Sequence, residues 1–200
     1  MLTGQRYHNV PMKEWFISDL EESLTGTTHD VQMVLNYLAS RGDFDMTRVG
    51  MFGEGSGGTI ALLAASVDPR IKAVDVLNPW GDWPSWLAAS RIVPDSERAD
   101  YLKPDFLASV AWLDPVVTFA KLRNLPLRLQ QNLWDDSKTP GLSRQHIAAA
   151  LPPTAQLAQY KDQQEYYEKV GNNGKMLDWM YEHLRSPATS ADTNAAKNVR

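Results

Sequence analysis

The sequence predicts an α/β fold, a mostly parallel sheet flanked by helices. Three observations lead there. Short apolar runs of strand length alternate with amphipathic stretches of helix length, the connections are long enough to return each strand to the same sheet edge, and glycine or Asn-Pro punctuation falls where the runs end.

The elements follow in chain order. From Thr27 to Arg41, Val31, Val34, Leu35 and Leu38 recur at i, i+3, i+4 and i+7, and Gly42 stands where a helix would end. After the polar connection Asp43 to Thr47, the run Arg48 to Gly53 (RVGMFG) is too short for a helix and reads as a buried strand. Thr59 to Ser66 is rich in helix formers, and Ile71 to Leu77 is a second strand closed by Asn78-Pro79. Residues 79–124 carry four of the seven tryptophans, Trp80, Trp83, Trp86 and Trp112, broken by Pro84, Pro94, Pro104 and Pro115; this is a helical, aromatic insertion. Leu125 to Leu133 alternates apolar and polar as a strand does, Ser143 to Leu151 reads as helix and Ala155 to Tyr160 as another strand. A last amphipathic helix runs from Lys175 to Leu184, with Met176, Leu177, Met180, Tyr181 and Leu184 on one side. Gln5 to Leu20 reads as a short helix or loop. Residues 1–185 form one domain on this reading, and 186–200, without periodicity, are expected to be disordered. The sheet should hold about four or five strands.

Composition narrows the function. With 43% hydrophobic and 22% charged residues the chain belongs among globular proteins. Twenty basic against 24 acidic side chains, a net charge of −4, give no footprint for a polyanion, so nucleic acid is not an expected partner. The absence of cysteine removes thiolate nucleophiles, disulfides and cysteine-ligated metals. No stretch reaches the roughly 18 apolar residues of a membrane span, and Met1 to Asn9 lacks the pattern of a leader; a cytoplasmic chain without membrane contact is the expectation. No His, Asp or Glu group has metal-ligand spacing, and neither metal nor cofactor is expected.

The segment Gly53-Glu54-Gly55-Ser56-Gly57-Gly58 lies between a buried strand and a helix, the context of a turn that presents a nucleophilic serine. It resembles the α/β-hydrolase superfamily, in which a strand of the type R-V-G-x-x runs into G-x-S-x-G-G. Laid on that pattern without gaps, RVGMFGEGSGG puts Gly53 and Gly57 on the two family glycines and Gly55 on the nucleophile. The esterase form G-E-S-A-G-G differs at two core residues. Such a turn is strained and needs small residues two before and two after its nucleophile. Gly55 has Gly53 and Gly57 there, whereas Ser56 has Glu54 two before it; a displaced nucleophile at Ser56 is the alternative.

The resemblance continues downstream. Leu125 to Leu133 followed by Trp134 to Pro140 looks like the family's strand and acid turn, which implies Asp136 as the triad acid; turn and capping roles for Asp135 and Asp136 are the plainer alternative. The base would lie in the turn near Lys161 to Tyr166, which has no histidine. His8, His29, His146 and His183 are all elsewhere, and Glu165 is the carboxylate that would point into the site. The likeness covers roughly residues 27 to 160, the C-terminal half of that fold, and implies that the N-terminal strands are lacking. With them would go a loop supplying one oxyanion-hole N–H, a loss of about 2.7 to 4 kcal/mol of transition-state stabilisation.

Two functional readings result. In the first, the chain is a catalytically impaired hydrolase relative that binds a small apolar or ester-like molecule, in a pocket floored by Gly53, Glu54 and Gly55 and roofed near Trp80, Trp83 and Trp112. In the second, it is an active esterase or peptidase using Ser56 with Asp136. Gly53, Gly55 and Gly58 also satisfy G-x-G-x-x-G, but the only acidic residue at a dinucleotide spacing, Asp75, lies inside a strand and Glu54 would repel phosphate. A homodimer is expected through the sheet edge left exposed where the lacking strands would pair.

Overall fold

The computed structural model describes residues 21–171 and 175–185. The expectations for Gln5 to Leu20 and for 186–200 lie outside these residues. A single π-helical turn, Glu21–Gly26, leads into α1 (Thr27–Arg41), which spans the predicted helix. Its core-facing stripe is narrower than expected: Leu35 is buried and Val31 partly so, whereas Val34 is 55% exposed.

Next come β1 (Val49–Glu54), α2 (Ser56–Val67) and β2 (Ile71–Leu77). Helix α2 starts three residues before the predicted Thr59. The helical segment between β2 and the next strand holds α3 (Trp83–Ala89), α4 (Asp95–Tyr101), α5 (Pro104–Val110) and α6 (Pro115–Thr118), with single 3-10 turns at Ala111–Leu113 and Phe119–Leu122. Prolines at the first turns of α3, α5 and α6 explain why each is short: they start helices easily and cannot sit inside them. Then follow β3 (Leu127–Asn132), α7 (Gly141–Ala149), β4 (Gln156–Tyr160), α8 (Gln163–Tyr166) and, after a 3-10 turn at Lys175–Leu177, α9 (Asp178–Leu184).

Four strands pair in the order β1-β2-β3-β4, all parallel. Parallel crossovers are right-handed, so an order that always steps the same way places the crossover helices on one face. The core agrees. Val74, Val76, Leu127 and Leu129 of the strands pack with Leu35 of α1, Ala61 and Leu62 of α2, Ile147 of α7, and Phe119 and Leu122 of the 3-10 turn before β3. Helices α1 and α2 therefore share a face. On the opposite face α9 lays Trp179 and Met180 over Ala73.

Under α9 the sheet also buries charge. Asp75, 1% exposed, stands beside Arg128 in register and accepts its Nε at 3.0 Å and a terminal nitrogen at 2.6 Å. Gln130 Nε2 donates to the same carboxylate at 2.8 Å, Tyr160 donates to Gln130 Oε1 at 2.7 Å, and the guanidinium lies 5.1 Å from the Trp179 ring centre. Asp75 is thus committed to structure and unavailable to a ribose. Among the described residues no helix is long and apolar enough to cross a membrane.

Candidate active site

The turn after β1 passes directly from strand to helix through Gly55. Gly55 has φ +56° and ψ −124°, a backbone conformation that residues with a Cβ adopt only under strain. Its N–H donates to the Leu77 carbonyl at 3.0 Å, and its own carbonyl accepts from Thr59 N at 3.2 Å and from Trp80 N at 3.3 Å. Thr59 Oγ1 donates to the Trp80 carbonyl at 2.7 Å, which ties the turn after β2 to the first turn of α2.

Steric demands around the elbow are unequal. A Cβ on Gly53 would lie 2.3 Å from the Gly57 carbonyl oxygen, so no side chain fits two residues before Gly55. A Cβ on Gly57 would meet nothing within 4 Å. The expected need for a small residue two after the elbow does not arise here, because α2 turns that position toward open space. A Cβ on Gly55 would come 3.3 Å from Trp80 Nε1 and 3.7 Å from Lys138 Cδ. The Trp80 indole and the Lys138 stem therefore close over the position where a nucleophile would project. Ser56 is the first residue of α2 and half-buried, and Glu54 is exposed at the end of β1.

The remaining site residues disperse. Asp136, with its side chain 56% exposed, pairs with Arg144 at 3.0 Å. The same guanidinium donates to the carbonyls of Asn132, Asp135 and Thr139 at 3.0, 3.2 and 3.4 Å, so Arg144 of α7 holds the whole turn after β3. Asp135 takes the Ser137 N–H at 2.8 Å, and its bonds to Ser137 hold its carboxyl below the usual range. In the turn after β4, Glu165 bonds its own turn through the Lys161 N–H at 2.8 Å and Lys169 Nζ at 2.6 Å. Tyr166 packs there against Tyr160 and Trp134, with ring centres 5.3 and 6.3 Å away. Burial first, and the Glu54 charge second, push its hydroxyl pKa up.

Among the histidines, His29 lies in α1 and His183 stacks on Trp179 at 4.1 Å with Nδ1 donating to the Trp179 carbonyl. His8 is outside the described residues. His146 of α7 forms a group that sequence reasoning missed: its Nδ1 is 2.7 Å from Asp82 Oδ2 and 3.2 Å from Ser85 Oγ. Both partners meet the same ring nitrogen, which cannot donate to Asp82 and accept from Ser85 at once. Separations of 64 and 61 residues leave no local signal for this group.

The expected tryptophan roof is only partly assembled. Trp80, Trp83 and Trp86 are buried together, with ring centres 4.9 Å apart for Trp80–Trp86 and 5.7 Å for Trp83–Trp86. Trp112 is 54% exposed and stands outside that cluster, because the 3-10 turn carrying it points the ring outward. Four buried polar atoms have no partner among the described residues: Trp80 Nε1, Trp83 Nε1, Asn78 Nδ2 and Asn132 Oδ1. Asn78 adopts φ +45° and accepts the Asn132 N–H at 2.9 Å, so two of the four sit together at the carboxyl ends of β2 and β3.

No family model and no curated protein matches the sequence. Solved structures do match the fold. A puromycin-hydrolyzing peptidase of Mycobacterium tuberculosis superposes with a TM-score of 0.62 at 18% identity over 80% of this chain. An acylaminoacyl peptidase of Pyrococcus horikoshii gives 0.57 at 17% identity over 80%, and an acetyl xylan esterase of Paenibacillus sp. R4 gives 0.57 at 16% over 79%. The chain spans 25% and 28% of the two peptidases and 52% of the esterase.

Proposed function

Because the chain has the α/β-hydrolase fold, we propose that it is a non-hydrolytic member of that architecture, whose elbow binds a small apolar or ester-like molecule without forming an acyl-enzyme. The observation that carries this reading is Gly55: the strand-to-helix turn is strained at the position that the resemblance gives to the nucleophile and the side chain is missing, with Trp80 closed over the gap. A serine hydrolase needs a nucleophile within hydrogen-bond reach of a base that a third group orients. Here the turn after β4 offers Tyr166 and a Glu165 already bonded to its own turn, and Asp136 is drawn to Arg144. The neighbours named for hydrolysing puromycin and acetyl xylan suggest acyl amides and esters as the compounds to screen.

Incubation with a fluorophosphonate probe tests the reading, with no covalent labelling as the expected result. Labelling at Ser56 would overturn it in favour of an active hydrolase, a second reading favoured by the position of Ser56 at the start of α2 directly after the elbow. Thermal-shift screening of esters and acyl amides, with tryptophan fluorescence as a second readout, tests binding; no shift and no quenching across the set rejects the pocket.

A further inference from the structure

Trp80 is 8% exposed, and its Nε1–H finds no acceptor among the described residues. A buried indole N–H ordinarily has one. This one lies 3.3 Å from the point where a Cβ of residue 55 would stand, so it is directed at the centre of the elbow. Other donors gather at the same place. Helix α2, 12 residues long, begins there with Gly55 as a cap that offers no side chain. Its first backbone bond runs from Thr59 N to Gly55 O, so the N–H groups of Ser56 and Gly57 precede the ladder and carry the positive end of the helix dipole. The Lys138 stem passes 3.7 Å from the same point. Glu54, the preceding residue, is exposed at the end of β1, and its charge disfavours ionisation of the Tyr166 hydroxyl.

The polar groups nearest the missing side chain, the Trp80 Nε1–H and the first-turn N–H groups of α2, are donors, and the matching chemistry is a strong acceptor such as a carboxylate. Trp86, fully buried with its ring centre 4.9 Å from that of Trp80, is the aromatic surface that tipping of the Trp80 indole would uncover for an apolar tail. We propose that the Gly55 elbow binds monocarboxylates with a short apolar tail, the carboxylate accepting from Trp80 Nε1–H and from the first-turn N–H groups of α2 as the indole tips off Gly55. This inference rests on the non-covalent reading above and names its ligand class.

The full chain, 15N-labelled at tryptophan, is titrated with sodium acetate, butyrate and hexanoate against sodium chloride at matched ionic strength, with methyl butyrate and butyramide as neutral isosteres. The Trp80 indole cross-peak, assigned by its loss in Trp80→Phe, is expected to move saturably with the carboxylates and more tightly as the tail lengthens. Trp80→Phe, its fold checked by circular dichroism, should weaken binding at least about tenfold. Lys138→Met keeps the stem, removes the charge and should weaken it a few-fold, which keeps the test decisive if the tryptophan variant misfolds. An equal displacement by chloride, or undiminished affinity in both variants, overturns the proposal. Binding of the neutral ester alone overturns it while leaving the pocket standing; no binding by any compound sinks both.

Discussion

At Gly55 the covalent chain, the sheet and the tryptophan cluster constrain one α-carbon. Its φ of +56° disfavours any Cβ, its N–H is bonded to β2 and its carbonyl to Thr59 of α2 and to Trp80, and Trp80 Nε1 stands 3.3 Å from where that Cβ would be. Replacing Gly55 by serine should lower stability by about 1–3 kcal/mol, the usual cost of a residue held in such a conformation, as urea denaturation would record. Combined with Gln164→His, the serine is expected to remain unlabelled by fluorophosphonate, because Asp136 stays with Arg144 and the new histidine has no carboxylate to orient it. Gly53→Ala should be worse. Its Cβ would collide with backbone at 2.3 Å, so the loss should exceed the roughly 1–3 kcal/mol of ordinary overpacking. The glycines of the elbow were legible because their spacing falls between a strand and a helix. Trp80 closing on Gly55 was not, since that depends on the turn after β2 folding back across 25 residues through the Thr59 hydroxyl, and Arg144 gathering the acid turn has no local pattern at all.

Among the elements, β2 matches its predicted span, whereas β3 is buried at all six positions, because its polar residues Arg128, Gln130 and Gln131 are hidden and hydrogen-bonded instead of facing solvent as the alternation suggested. Boundaries slipped where backbone geometry overrides propensity. Gly57 and Gly58 are poor helix formers, so residue preference places the start of α2 at Thr59, yet the elbow delivers the chain into helix at Ser56. Buried polar pairing also escaped the sequence. Arg128→Met should cost about 3–5 kcal/mol, because it strands the Asp75 carboxylate under α9 with Gln130 as its remaining side-chain donor, and chemical denaturation measures it directly. A second ion pair pins α1 to the corner between α2 and β2. Arg70 binds Asp68 through Nε at 2.9 Å and a terminal nitrogen at 2.6 Å, and reaches Asn36 Oδ1 at 2.8 Å. The Arg70 hydrogen bonds hold the Asp68 carboxyl below its ordinary value. Because the folded pKa is depressed, this stabilisation is complete above the unfolded value of about 3.9 and is lost as pH falls through the folded one. Unfolding free energy should therefore fall more steeply from about pH 5 down to about pH 2 in the native chain than in Asp68→Asn.

For the molecule as a whole, β1 and β4 are the margins of the sheet among the described residues. Beside β1 runs an apolar groove of about 520 Å³ lined by Leu35, Phe44, Val49, Met180 and Leu184, and Phe44 is 47% exposed at its rim. An unpaired strand next to apolar surface is a template for association. Light scattering over a wide concentration range is expected to show the mass rising toward a dimer, and Phe44→Asp should return it to the monomer; a constant monomer mass in the native chain removes the expectation of a homodimer.

The order β1-β2-β3-β4 also bears on how the sheet is assembled. Each strand docks beside its immediate predecessor, so no strand must be threaded between two that are already paired. The sheet can be laid down by accretion at a single growing margin, each step closing only the loop of one crossover. Losing β4 would leave β1, β2 and β3 able to pair as before, whereas losing β2 would separate β1 from everything after it.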